Sequence, residues 1–75
     1  MKKETIESAS TKVLQRIIKK RQALGVSQMD LAFKLHLTAN GYFKIEKGIT
    51  KLSVLRLLEI ADALKVSPVV FIEDV

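Results

Sequence analysis

Asn40 and Lys44 are the side chains of this sequence whose types and spacing favour a specific chemistry. They stand four positions apart, so on a helix they share one face, close to Ala39. An Asn amide can make two hydrogen bonds with adenine, a Lys ammonium can donate to guanine, and a small apolar side chain can touch a thymine methyl. This face therefore predicts hydrogen bonding to base edges.

No group of residues favours catalysis. A nucleophile, a base and an orienting group do not occur at usable spacing, and no Gly-rich loop that could hold phosphates is present. Cysteine is absent, which excludes a disulfide framework and a thiolate metal site. The single histidine, His36, is interpreted as a turn residue instead of a ligand or a base. We expect no enzyme, no metal and no cofactor.

Positive charge is concentrated in the first two thirds of the chain. Residues 1–51 hold eleven of the 13 Lys and Arg and four acids, whereas residues 52–75 hold two bases and four acids. A basic front of this kind suits contact with a polyanion. The alternative is a solvated basic surface, which is common on small domains.

The length allows one small domain. A chain of 75 residues buries only about 60% of its unfolded surface, so one modest core is expected. No apolar run of membrane-spanning length and no signal peptide is visible. These features predict a soluble, cytoplasmic protein with no membrane partner.

The apolar pattern predicts five helices. Residues 1–10 lack a sustained apolar period, and we interpret them as a flexible N-terminal arm before a single domain at residues 11–75. A helix is predicted over residues 11–24 with Gly25 as its stop, and the fourth helix over residues 54–65. Pro68 fits the first position of a short fifth helix.

The four later helix starts share one pattern, the spacing of the hydrophobic staple. Each start is a Ser or Thr with one apolar residue directly before it and another four positions after it. The four starts are Ser27, Thr38, Ser53 and Ser67. Asp30 also stands where it would complete a capping box with the first of them. The pattern defines these boundaries better than helix propensity alone.

The fourth helix has more apolar residues than one core stripe needs. Its predicted core stripe is supported by Val54 and Leu58, and Leu55 points away from it. The stripe itself consists of Leu57, Ile60, Ala61 and Leu64. In the fifth helix Val70 and Phe71 are expected to face inward and Pro68 and Val69 outward. Exposed Leu55, Pro68 and Val69 would suggest a partner surface.

Residues 28–48, QMDLAFKLHLTANGYFKIEKG, join two short helical patterns across a tight turn. With its lead-in KRQALGVSQMDLA, this stretch resembles the Cro and repressor-type helix-turn-helix family of phage and bacteria over roughly residues 11–73. The residues at the spacing of the family motif are Gln28, Ala32, Leu37, Ile45, Glu46 and Gly48. At the corner, where the family most often has Gly, this chain has His36. The resemblance implies an all-α, compact five-helix, lambda-repressor-like domain whose second motif helix enters the major groove.

Helix geometry and the resemblance together predict three sets of contact residues. The base-reading set is Ala39, Asn40, Gly41, Phe43 and Lys44. The phosphate-binding set is Gln28, Lys47, Lys51 and Ser53. The homodimer set is Leu55, Pro68 and Val69. Packing beside Lys47 is the alternative to base contact for Phe43.

Arg21 lies on the core stripe of the first helix, where an unpaired charge would be unfavourable. The resemblance implies a partly buried ion pair with Glu46 that joins the first helix to the end of the recognition helix. The alternative is two independently solvated side chains.

These features together predict a regulator that binds a near-palindromic operator in double-stranded DNA as a homodimer. Repression by blocking polymerase is favoured over control by a small-molecule ligand. The resemblance implies a role among the small members of the family, which include phage repressors, restriction-modification controllers and antitoxins. The competing class is a protein-binding adaptor of the same fold that docks through Met29, Phe33 and Phe43.

Overall fold

Five α-helices form the part of the chain that the computed structural model describes, residues 2–75. Their bounds are α1 Lys3–Ala23, α2 Gln28–Lys34, α3 Ala39–Glu46, α4 Val54–Ala63 and α5 Val69–Ile72. No strand occurs among these residues. The prediction of an all-α, five-helix fold is confirmed. None of these helices is long and apolar enough to cross a bilayer.

Side-chain caps begin α2, α3 and α4 at the predicted residues. Ser27 Oγ accepts from the Asp30 amide at 2.9 Å, and Asp30 Oδ2 accepts from the Ser27 amide at 3.4 Å, which completes the capping box. Thr38 and Ser53 cap α3 and α4 with one bond each, in which the side-chain oxygen accepts from the amide three residues on. Each cap satisfies an amide that would otherwise have no partner at the helix start. The helix α5 begins one residue later than predicted, at Val69.

The start of α1 differs from the prediction by eight residues. The helix begins at Lys3 instead of residue 11, so the segment interpreted as an arm is helical over residues 3–10. Extending a helix that the core has already nucleated adds one hydrogen bond per residue without a new nucleation step. An apolar period is therefore not needed, and its absence misplaced the boundary. The flexibility of the arm stays a prediction, and Met1 lies outside the described residues.

The core lies where α1, α2, α3, α4 and α5 meet. Ala32 in α2 is 1% exposed, which places a small side chain where α2 crosses α3. The buried apolar residues are Ile17, Leu31, Ala32, Leu35, Tyr42, Ile45, Ile60, Ala61, Leu64 and Phe71. The Arg16 guanidinium donates to the carbonyl of Glu73 and joins α1 to the end of α5.

Three apolar side chains expected to support the core are exposed instead. Val54 and Leu58 in α4 are 75% and 48% exposed, and Val70 in α5 is 44% exposed. The apolar residues of α4 cover a wider arc than one stripe, and the rest of the domain covers only the flank with Leu57, Ile60, Ala61 and Leu64. The helix also ends at Ala63, two residues before the predicted end, and Lys65 then adopts a left-handed φ of 58°.

Candidate nucleic-acid interface

The turn between α2 and α3 sets the direction of α3. The amide of Leu37 donates to the carbonyl of Ala32 at 2.9 Å, and the amide of His36 donates to that of Phe33 at 3.1 Å. His36 has a φ of 59°, so it adopts the left-handed conformation for which the family most often uses Gly. With Tyr42 directed into the core, the opposite face of α3 points outward.

The outward face of α3 carries the side chains predicted to read bases. Ala39, Asn40 and Lys44 are exposed, and Phe43 is 38% exposed. Gly41 is half-buried, and its amide donates to Thr38 Oγ1 at 2.9 Å. A Cβ added at Gly41 would lie 3.0 Å from that oxygen, so the residue fits closely against the cap. Base contact by this set stays a prediction, and Gly41 also has a structural role.

A buried ion pair connects α1 to the end of α3. Arg21 Nε lies 2.7 Å from Glu46 Oε2, and its Nη2 lies 3.3 Å from Glu46 Oε1, the two partners that the family resemblance implies. Arg21 Nη1 also donates to the carbonyl of Val26 at 2.9 Å. The two residues are 7% and 8% exposed, so water does not replace either partner. The pair therefore fixes the end of α3 against α1 and the α1–α2 turn.

The charged forms of both partners are favoured. The hydrogen bond to Glu46 raises the pKa of Arg21 above its ordinary value. Burial alone would raise the pKa of the Glu46 carboxyl, but the hydrogen bonds that it accepts from Arg21 and neighbouring donors outweigh burial and lower its pKa. Glu46 is consequently an anion at neutral pH.

Gln28 is a third member of this network, and its bond to Glu46 was not predicted from the sequence. Its Nε2 donates to Glu46 Oε1 at 2.8 Å, so the first residue of α2 is tied to the last residue of α3. A Gln amide carries two N–H groups, and one remains for another acceptor. The predicted phosphate contact of Gln28 stays a prediction. Eighteen positions separate the two residues, and no local pattern signals a contact that depends on the α2–α3 crossing.

The Tyr42 hydroxyl lies near this network but makes no hydrogen bond of good geometry within residues 2–75. Burial raises the pKa of the phenol above its ordinary value. The group is neutral at physiological pH and serves packing in the core, where the residue is 0% exposed.

Phe43 and Lys47 contact one another at the end of α3. The Lys47 Nζ lies 5.4 Å from the centroid of the Phe43 ring, within the range of a cation–π contact. This arrangement matches the alternative for Phe43, packing beside Lys47, and it leaves the outer part of the ring accessible. Lys51 and Ser53 follow in the exposed link to α4. Ser53 Oγ accepts from the Arg56 amide at 3.0 Å, so its hydroxyl serves as the cap.

The residues predicted for a dimer lie away from α3 in the fold, on α4 and at the start of α5. Leu55 is 68% exposed and Val69 is 53% exposed, whereas Pro68 is half-buried. Val54 and Leu58 extend the exposed apolar face of α4 around Leu55. Their contact with a second copy stays a prediction.

Comparison with known families places this geometry in context. A family model described as helix-turn-helix matches residues 17–71, most of the chain. Comparison with curated proteins and with solved structures finds no match. The match covers the last third of α1, the whole of α2 to α4 and most of α5. The chain therefore belongs to the Cro/XRE-like helix-turn-helix family of DNA-binding regulators.

Proposed function

We propose that this regulator binds a near-palindromic operator as a homodimer and represses transcription by occupying it. The observation that carries the proposal is the exposed face of α3, which presents Asn40 and Lys44 from a helix whose last residue is held by Arg21 and Gln28. A helix fixed in this way can present hydrogen-bonding groups in a constant orientation.

Base readout rests on three neighbouring side chains. Asn40 can make paired hydrogen bonds with adenine, Lys44 can donate to guanine, and Ala39 can contact a thymine methyl. All three are exposed. Phe43 acts mainly through its ring contact with Lys47, while its accessible edge can reach a methyl or a deoxyribose.

Phosphate contacts flank this face on both sides. Lys47 and Lys51 are exposed at the end of α3 and in the following link, and the second N–H of Gln28 is available at the start of α2. Contacts from both sides would fix the register of α3 in the groove without reading sequence.

Assembly as a dimer rests on the exposed apolar side chains of α4 and α5. Exposed side chains such as Val54, Leu55 and Val69 are unfavourable in water, and a second copy can bury them. A two-fold axis would place the two α3 helices in successive major grooves about 34–36 Å apart, which accounts for a near-palindromic operator.

The test uses an operator obtained by selection from a random duplex pool. Asn40→Ala and Lys44→Ala should each lower affinity for this operator by about 1–3 kcal/mol, which is much more than either lowers affinity for random duplex. Lys51→Gln should weaken binding to both duplexes alike. Lys51 is a cleaner phosphate control than Gln28, because Gln28 also donates to Glu46. Equal losses on both duplexes for Asn40→Ala and Lys44→Ala would show that base reading is assigned to the wrong residues.

A protein-binding adaptor is the second candidate, favoured by two side chains on α2. Met29 is 69% exposed and Phe33 is 82% exposed, one helical turn apart. Affinity for DNA falls steeply with salt because counterions are released, whereas apolar docking does not depend on salt in this way. A chain that binds no duplex at low salt would support the adaptor function.

A further inference from the structure

The first turns of α1 extend beyond the part of the chain that matches the family. The family match begins at residue 17, whereas α1 begins at Lys3. Lys3, Ser10 and Leu14 lie on the same helical face as Ile17 and Arg21, because their spacings of seven, four, three and four residues repeat the helical period. The face that packs on the core therefore continues outward past the core.

This extension lies over the link between α3 and α4. Leu14 marks the point where they meet, since a Cβ added at Gly48 would lie 3.7 Å from Leu14 Cδ1. From there to Lys3 the helix rises about 16 Å, at 1.5 Å per residue. A groove of about 660 Å³ separates the extension from the link, and both Lys3 and Lys51 line it.

The two lysines of the groove favour a polyanion as its partner. Lys3 lies on one wall and Lys51 on the other, and Lys51 is one of the residues proposed to bind phosphate. Glu7, one turn after Lys3, is the acid that lines the same groove. Apolar side chains also line it: Ile6 on α1 is exposed, whereas Leu14 and Leu52 pack against the core. A phosphate backbone is complementary to these walls.

We propose that the N-terminal turns of α1 form an additional DNA-backbone contact, in which Lys3 and Lys51 hold phosphates on either side of this groove. The contact rests on the proposed DNA-binding function and extends it to a segment outside the family match, which begins at residue 17. It strengthens binding to any duplex and adds no sequence preference. Glu7 repels the same phosphates and limits the gain.

The experiment measures affinity for a random-sequence duplex across a salt series. Lys3→Gln should reduce the magnitude of the slope of log K against log salt by about 0.9. The ratio of parent affinity to variant affinity should therefore fall about 3–4-fold between 50 and 200 mM salt. Lys51→Gln should act alike, and Glu7→Gln should raise affinity. Lys12→Gln is the matched control, since Lys12 is nine residues after Lys3 and lies on the opposite side of α1.

A second variant tests whether the helix positions Lys3. Ser8→Pro removes one amide from α1 and clashes with the preceding turn, so the first turns should unwind while the core keeps its Tm. Its salt slope should then fall as in Lys3→Gln. A parental slope in Ser8→Pro would overturn positioning by the helix. A loss of slope in Lys51→Gln but not in Lys3→Gln would overturn the inference and keep the DNA-binding function, whereas parent protein without salt-dependent binding would refute the DNA-binding function itself.

Discussion

The α2–α3 pair and the α4–α5 region both present surface to solvent, but they are stabilised differently. The end of α3 is held within one chain by a buried polar network of Arg21, Glu46 and Gln28. The outer faces of α4 and α5 carry exposed apolar side chains, among them Leu55 and Val69, and no other element of the described chain covers them. Hydrogen bonds are directional and fix an orientation, whereas apolar burial is not directional. The orientation of α3 is therefore set within the monomer. Burial of the exposed apolar side chains on α4 and α5, here called the rear surface, requires the second copy that we propose.

The largest expected effect comes from breaking the network behind α3. Glu46→Ala leaves the guanidinium of Arg21 buried without its carboxylate and should lower the free energy of unfolding by about 3–5 kcal/mol. For a small domain this is a large part of the total stability. Urea unfolding followed by circular dichroism measures the loss.

The matched control for this prediction is a surface ion pair on α4. Arg56 Nη1 lies 3.3 Å from Glu59 Oε1, and both side chains are partly exposed. Glu59→Ala should lower the free energy of unfolding by less than about 1 kcal/mol, because water screens the pair. Similar small losses in Glu46→Ala and Glu59→Ala would mean that the buried network does not stabilise α3.

The second prediction tests the rear surface. Replacing Leu55 and Val69 together with Lys should convert a dimer to a monomer and weaken operator binding at least about 100-fold, since two half-sites no longer act together. The Tm of the monomeric domain should be retained, because both side chains are exposed and outside the core. Sedimentation velocity with and without operator gives the assembly state.

Phe33→Lys is the control for charge added on an exposed apolar residue. Phe33 is 82% exposed on α2 and is not among the residues proposed for the dimer, so this variant should sediment like the parent. A parent protein that is monomeric at high concentration, or a double variant that still dimerises, would contradict the proposed role of the rear surface.

Local signals in the sequence predicted the starts of α2, α3 and α4 well. The caps at Ser27, Thr38 and Ser53 depend on residues three positions away, so their hydrogen bonds can be recognised in the sequence itself. Arg21 was recognisable as a charge on an apolar stripe, and the family resemblance supplied Glu46 as its partner. The second bond to Glu46, from Gln28, was missed because it depends on the angle at which α2 crosses α3.

Tertiary context explains the remaining differences. Helical periodicity marks Val54 and Leu58 as apolar positions of α4, but it does not say which flank another helix will cover. The N-terminal turns of α1 lack an apolar pattern and are helical because they extend a nucleated helix. The groove between Lys3 and Lys51 follows from that extension and could not be predicted without it.

The smallest expected effect compares the corners that follow α2 and α4. His36 and Lys65 adopt left-handed φ angles of 59° and 58°, which disfavour a residue with a Cβ. His36→Gly and Lys65→Gly should each stabilise the domain by about 0.5–1 kcal/mol, because the relief of strain exceeds the added entropy of the unfolded chain. Gly25→Ala is the control of opposite sign. The φ of Gly25 is 71° and nothing lies within 4 Å of an added Cβ, so the substitution adds backbone strain without a steric clash. Differential scanning calorimetry should give Tm shifts of about 2–8 °C, upward for the two Gly variants and downward for Gly25→Ala. A lower Tm in His36→Gly alone would mean that the imidazole makes a stabilising contact at the corner after α2. The corner after α2 would then be fixed by a polar side chain, as the end of α3 is, and the corner after α4 would not.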